Sequence, residues 1–393
     1  MAGPLSQLKV LDLSTLLPGP YATMMLADMG AQVLRIEALG RYDLVNGFEP
    51  KLNQHSYAFL NLNRNKEVIA LDLKQQAAVN VVKKLIGEYD VIVEQFRPGV
   101  MAKFGLDYES LKAINPKLIY CSITGYGQTG CLKDRAGHDI NYLSLSGLAS
   151  FSGTKATGPV LSGTQIADIA GGSHHAVMGI MAAVIERGIS GAGQHLDISM
   201  TDAAFALTGM FGAGAVAVDV DPSLGGNTLN GGHFYGYYQT ADNRYISVGS
   251  LEPKFAEMFF NALGQNDWLV RGFSTDEQEQ LALRDDISVR IIEHSLAYWL
   301  ETFTALDACV EPVLTVSEAA KSDLMRDRGM VTEVKAMTGD IVKQVAPAIK
   351  FASSADNTMF VNQTSPSFTE KLLTHFDYTQ DEIVQLQQNK AIK

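Results

Sequence analysis

The chain has 393 residues, 46 % of them hydrophobic and 19 % charged, the balance of a globular protein with enough apolar mass for more than one domain. Its formal charge of −12, from 31 basic and 43 acidic side chains, argues against nucleic acid or an anionic membrane surface as the main partner. The three cysteines, Cys121, Cys131 and Cys309, form neither a metal-ligand spacing nor a disulfide framework, so a reduced, cytoplasmic protein without a metal site is expected.

Taken in order, Leu8–Leu13 reads as a buried strand, Ser14–Gly19 as a loop, and Pro20 as the first position of a helix reaching about Met29. Gln32–Ile36 is the next strand. This βαβ opening predicts a parallel sheet flanked by helices. The loop lacks G-x-G-x-x-G, so it cannot form the dinucleotide phosphate cradle of a nicotinamide dehydrogenase. Gln75–Tyr89 has helical periodicity, and Val91–Phe96 and Leu118–Thr124 read as strands. Ile166–Arg187 is too broken by glycine to be a strand and suits a buried helix. Its apolar part, ending at Ile185, is too short to cross a bilayer, and the N-terminus shows no signal-like pattern. Gly193–Met200 is strand-like, and Thr201-Asp202 starts another helix.

The texture changes at Asp221-Pro222, Gly225-Gly226-Asn227 and Gly231-Gly232, which read as a linker. A hairpin follows, Tyr235–Thr240 and Arg244–Gly249 around Ala241-Asp242-Asn243. Helices are expected at Pro253–Leu263, Glu277–Leu283 and Ile287–Phe303, a strand at Val310–Val316, and helices at Ser367–Phe376 and Gln380–Gln388. The fold class is α/β: a Rossmann-like large domain with a parallel sheet over 1–222, a smaller α+β domain over 223–337, and a C-terminal piece over 338–393.

Two residues attract attention as chemistry. His138 sits in the loop Ala136-Gly137-His138-Asp139-Ile140-Asn141-Tyr142, and Asp168 opens the apolar helix within Gln165-Ile166-Ala167-Asp168-Ile169-Ala170-Gly171-Gly172. A first-turn carboxylate is held by the helix dipole, and the pair could serve as two proton-transfer groups on opposite sides of one carbon. The same residues fit a helix cap and a satisfied loop histidine. Arg35, the Arg64-Asn65-Lys66 cluster, and Arg97 with Lys103 lie near strand ends, either gathered for phosphates or scattered as solvated charges. Glu252, before Pro253, fits a plain first-turn acid. Tyr237 and Tyr238 fit either a cleft or a core. The His174-His175 pair has no partners at metal-ligand spacing and reads as packing. Met24, Met25, Met178, Met181 and Met210 suit irregular core gaps, or an acyl surface.

Several segments carry a resemblance: Leu17-Pro18-Gly19-Pro20-Tyr21-Ala22, Leu26-Ala27-Asp28-Met29-Gly30-Ala31, Glu94-Gln95-Phe96-Arg97-Pro98-Gly99, Gly125-Tyr126-Gly127-Gln128-Thr129-Gly130, the Gly137–Tyr142 segment, Ala241-Asp242-Asn243-Arg244-Tyr245, Leu251-Glu252-Pro253-Lys254-Phe255 and Asp307-Ala308-Cys309-Val310-Glu311-Pro312-Val313. In these the chain resembles the class III CoA-transferase family, and within it the alpha-methylacyl-CoA racemases. The resemblance implies an interlocked homodimer whose C-terminal piece returns to the large domain. It implies an acyl-CoA thioester as substrate with no separate cofactor, since the CoA belongs to the substrate. It also implies CoA contacts at Arg35 and Arg97, joined by Lys66 and Lys103. Catalysis would fall to His138, Asp168 and Glu252 of the partner chain, which would hold the imidazole tautomer.

The implied activity is racemisation or epimerisation of a 2-methylacyl-CoA through an enolate, with backbone N–H groups near Gly171 or the helix start on its oxygen. Against it stands Thr164, where the racemases carry asparagine. The alternative is a CoA-transferase with Asp168 as nucleophile, and against that stands Leu17, where formyl-CoA transferases carry glutamine. A CoA-thioester binding protein without catalysis is the third reading.

Overall fold

The computed structural model describes residues 3–336, 338–352 and 359–393. The chain divides into two compact units, Met1–Ser146 with Thr164–Ala206 and Met325–Lys393, and Gly147–Gly163 with Leu207–Leu324.

The first unit is built on a six-stranded parallel sheet. Its strands are β1 (Lys9–Asp12), β2 (Gln32–Ala38), β3 (Lys66–Leu71), β4 (Val91–Glu94), β5 (Ile119–Thr124) and β6 (His195–Ser199), in spatial order β6-β5-β4-β1-β2-β3. Alternate residues of one strand feed opposite cores. Leu11 and Leu34 join the helix Gln76–Ile86, while Val10 and Val33 join the helix α1 (Pro18–Asp28) and the helix His175–Ser190. Both faces are therefore covered, which is why the strands read as nearly continuous apolar runs. The chain leaves β1 in one direction for β2 and β3, and later in the other for β4, β5 and β6. The order reverses between β1 and β4, the place where open α/β sheets leave a crevice outside the carboxyl ends of the strands.

A buried ion pair fixes the end of β1. Asp12 and Lys66 are both fully buried, with Nζ 3.1 Å from Oδ2. Lys66 also donates to Thr23 Oγ1 (2.8 Å) and the Pro20 carbonyl (3.0 Å), and Asp12 accepts from Thr23 Oγ1 at 2.6 Å and from the Ser14 hydroxyl. One charge pair thereby ties β1, β3 and the first turns of α1.

The C-terminal residues belong to this unit. Leu373, Ile383 and Leu386 enter the core that holds Leu34 and Ile69, and Ile392 bridges Leu71. A small sheet of Val331–Ala336, Ile341–Val345 and Met359–Val361 packs on Phe59, Leu60 and Leu62.

The second unit holds the hairpin Gly236–Gln239 and Tyr245–Val248, with Asn243 left-handed at φ 58° as its turn requires, and the strand Val310–Pro312. Its helices Pro253–Ala262, Glu277–Ile291 and Leu296–Thr304 surround Phe259, Phe260 and Trp299. Two boundaries differ from the sequence reading. The helices expected at Glu277–Leu283 and Ile287–Phe303 are divided instead at Ser295, whose side chain accepts from the Tyr298 N–H. The unit is also made of Gly147–Gly163 and Leu207–Leu324 rather than spanning 223–337: it takes a segment from within the expected 1–222 domain, and the Pro- and Gly-rich stretch lies inside it and not at its edge.

Lys66→Met should cost about 3–5 kcal/mol by urea denaturation, because it leaves Asp12 buried and unpaired. An unchanged midpoint would contradict the tie described.

Candidate functional site

Loops at the carboxyl ends of four neighbouring strands enclose a cavity of ≈ 580 Å³ within the first unit. Leu16 and Pro18 follow β1, Gln95 to Pro98 follow β4, Gly125 and Tyr126 follow β5, and Met200 follows β6. His138 and Asp168 both line this cavity. The structure thus brings the two together, as the sequence reading expected.

His138 is the N-cap of the helix Asp139–Leu145, with extended backbone (φ −130°, ψ 173°), and its N–H donates to Asn141 Oδ1 at 3.0 Å. Tyr142 Oη donates to the Gly137 carbonyl at 2.6 Å and closes the loop in front of it. The imidazole is left exposed.

Asp168 lies not in an α-helix, as the apolar periodicity predicted, but in a π-helical segment, Ala167–His174, that runs into the helix His175–Ser190. The π-turns are anchored from the side. Ser173 Oγ is 2.7 Å from the Pro18 carbonyl, to which it donates, and 3.1 Å from the Asp168 carbonyl. Gly172 packs so closely that a Cβ would lie 3.0 Å from Pro18 Cβ, which keeps this position small. Wide turns of this kind are frequent at functional sites. The Asp168 N–H donates to Asp139 Oδ1 at 3.1 Å. Burial and then the Asp139 carboxylate push the Asp168 carboxyl up to about 7, so it exchanges a proton near neutrality.

The basic residues divide. Arg97 is exposed and lines the cavity. Lys103 is exposed at the end of the helix Val100–Lys103, away from the cavity lining. Lys66 needs correction. Its ammonium is enclosed by Asp12, Thr23 and Pro20 and has no path to a ligand, so it is a structural charge. Arg35 is 2 % exposed, its guanidinium paired with Glu37 and Asp43 at 2.9 Å and stacked over Phe59. It walls a neighbouring cavity that shares Leu16 and Arg41 with the first. Both terminal nitrogens are thus already engaged. The exposed cations at the site are Arg41, Lys133 and Arg135 beside Arg97. Sequence reasoning passed over these three, although Lys133 and Arg135 stand only a few residues before His138.

Glu252 lies in the second unit, exposed at the N-cap of Pro253–Ala262, with no capping bond from its side chain. Tyr238 is core and Tyr237 is exposed. His175 Nδ1 is 2.7 Å from the Ala170 carbonyl and His174 packs edge-on against Tyr21.

A family model described as CoA-transferase family III matches residues 5–367. The chain is 34 % identical to alpha-methylacyl-CoA racemase of Homo sapiens over 395 residues, covering 99 % of this chain and 97 % of that protein. It is 30 % identical to succinyl-CoA:glutarate CoA-transferase of Mus musculus, covering 89 % of this chain and 81 % of that one. Among solved structures it is similar to a CAIB/BAIF family protein from Brucella suis, with a TM-score of 0.82 at 26 % identity, covering 96 % of this chain and all of that one.

Asp168→Asn isolates the charge. The folded carboxyl titrates near 7 against 3.8 unfolded, so its contribution to stability is present at low pH and is lost as pH rises through 7. Asparagine stays neutral throughout. The variant should gain thermal stability over wild type at about pH 9 and little at about pH 3, below both values. An equal gain at both would contradict the assignment.

Proposed function

Since the chain belongs to CoA-transferase family III, we propose that it racemises or epimerises a 2-methylacyl-CoA by proton transfer through an enolate. The observation that carries this reading is the convergence of His138 and Asp168 on one cavity, with the Asp168 carboxyl poised near 7. A transferase needs its carboxylate as a nucleophile and has no use for an imidazole on the same cavity. A racemase needs two groups that both take and give a proton at the same pH, and a carboxyl near 7 does so.

In the proposed reaction, one of the two takes the hydrogen alpha to the thioester and the electron pair moves onto the thioester oxygen. The other group returns a proton to the opposite face. The two exchange roles with substrate handedness. The exposed cations Arg41, Arg97, Lys133 and Arg135 give an acidic protein a local positive rim for the CoA phosphates. A second cavity of ≈ 280 Å³, lined by Tyr21, Met24, Met25 and Met29 together with Asp28, Asn61 and Arg64, shares no lining residue with the first. Similarity to alpha-methylacyl-CoA racemase over nearly the whole chain supports the reading.

Incubation of 2-methylacyl-CoAs in deuterated water tests it. Deuterium should enter at the alpha carbon and configuration should scramble without any acceptor acid. His138→Ala and Asp168→Ala should each lower exchange by roughly a hundred- to ten-thousand-fold, each from its own enantiomer. The transferase alternative, kept in view by the succinyl-CoA:glutarate enzyme among the relatives, predicts the reverse. It would give no alpha deuterium, a mild His138→Ala, and an acyl-enzyme on Asp168 trapped by hydroxylamine.

The reading extends to an interlocked homodimer in which Glu252 of one protomer orients His138 of the other. The helix His175–Ser190 leaves Met178, Ile185 and Ile189 exposed, an apolar face suited to a partner. Light scattering should report twice the chain mass at micromolar concentration, and Glu252→Gln should slow exchange without dissociating the dimer. A monomer that exchanges alpha hydrogen at full rate would contradict this.

A further inference from the structure

Gln95 is the first residue after β4, on the loop that lines the cavity, and the readings above give it no role. Its Oε1 accepts from the Gly19 N–H at 3.0 Å. An N–H group can be met only by the oxygen end of the amide, so this bond settles which way the side chain faces. The Nε2 group, with two hydrogens to give, faces elsewhere, and among the described residues it has no partner. The fit at Gly19 is tight, since a Cβ there would lie 2.6 Å from Gln95 Oε1 and 2.2 Å from Ser14 Cβ.

The next contacts lead to the reacting groups. Pro18, the neighbour of Gly19, receives the Ser173 hydroxyl at 2.7 Å, and that oxygen is 3.1 Å from the Asp168 carbonyl. Gln95 is therefore joined to the Asp168 segment through Gly19, Pro18 and Ser173, on a scaffold set by the buried Asp12–Lys66 pair. Gln95 lines the same cavity as His138 and Asp168, so its free donor is available to a ligand held between them.

We propose that Gln95 is a further catalytic residue: its Nε2 donates to the thioester carbonyl oxygen of a bound acyl-CoA, a bond that strengthens as the oxygen takes up enolate charge. The proposal rests on the proton-transfer reading of the site. When the alpha C–H bond breaks, the proton passes to His138 or Asp168 and the electron pair to the thioester oxygen. Gln95 transfers no proton and supplies only the hydrogen bond. Because its orientation is set before substrate arrives, it needs no reorganisation as the charge develops, the condition under which such donors contribute most.

Two variants separate this role from simple support of Gly19. Gln95→Glu keeps an oxygen for the Gly19 N–H and removes the donor, and Gln95→Met removes both. With wild-type alpha-deuterium exchange from a 2-methylacyl-CoA as reference, Gln95→Glu should keep the wild-type thermal midpoint and KM within a few-fold. Its kcat should fall about a hundred- to a thousand-fold, the loss typical of one oxyanion donor. Gln95→Met should lose at least as much. Wild-type kcat in Gln95→Glu beside a loss in Gln95→Met would overturn the proposal, leaving Gln95 as a prop for Gly19. A rise in KM at unchanged kcat would also overturn it, by placing the donor on a remote part of the ligand. Should Gln95→Glu fail to fold, Gln95→Met carries the test: a fall in kcat at a wild-type thermal midpoint supports the role, and wild-type kcat overturns it. Absence of exchange by the wild-type protein with every 2-methylacyl-CoA tried is a different result, and it rejects the underlying reading together with this role.

Discussion

Two opposite charges buried at the end of the first strand hold the structure on which the cavity is built. Asp12 and Lys66 are removed from water completely, and such a pair is tolerable only when every remaining donor and acceptor is met. Thr23, Ser14 and the Pro20 carbonyl meet them, and all three lie in the loop and first turns after β1. The loop that carries Pro18 and Gly19 is thereby fixed at the reversal point of the sheet. Ser173 and Gln95 then hang from it, and the π-helical segment with Asp168 hangs from Ser173.

That order of support explains the environment of Asp168. A carboxylate at the start of an ordinary helix would be stabilised in its charged form by the helix dipole. In the π-turns it is half buried and set against a second carboxylate, so its proton is held to about 7. Burial, and after it the Asp139 carboxylate, sets its protonation. The cations sit on the exposed loops around the cavity, where water and counter-ions moderate them.

Much of this was legible in the residues. The parallel sheet followed from Leu8–Leu13, Gln32–Ile36 and Leu118–Thr124, because strands buried on both faces must be apolar at successive positions. His138, in a glycine-containing polar loop, and Asp168, at the opening of an apolar run, stood out as a pair, and the structure puts both on one cavity. The π-helix was not legible, since it keeps the composition of an α-helix and is created by Ser173 and Gly172 meeting Pro18, more than 150 residues away. Lys66 misled for a similar reason. Nothing local shows that a lysine at a strand start is enclosed by an aspartate 54 positions earlier. Arg41, Lys133 and Arg135 were missed because loops without periodicity show no direction.

A structure of the protein with a bound 2-methylacyl-CoA tests the account most directly. It predicts the alpha carbon between the His138 imidazole and the Asp168 carboxyl, with the thioester oxygen facing a backbone or side-chain donor and the phosphates among the exposed arginines. A covalent acyl or CoA group on Asp168, or an alpha carbon out of reach of His138, would contradict it.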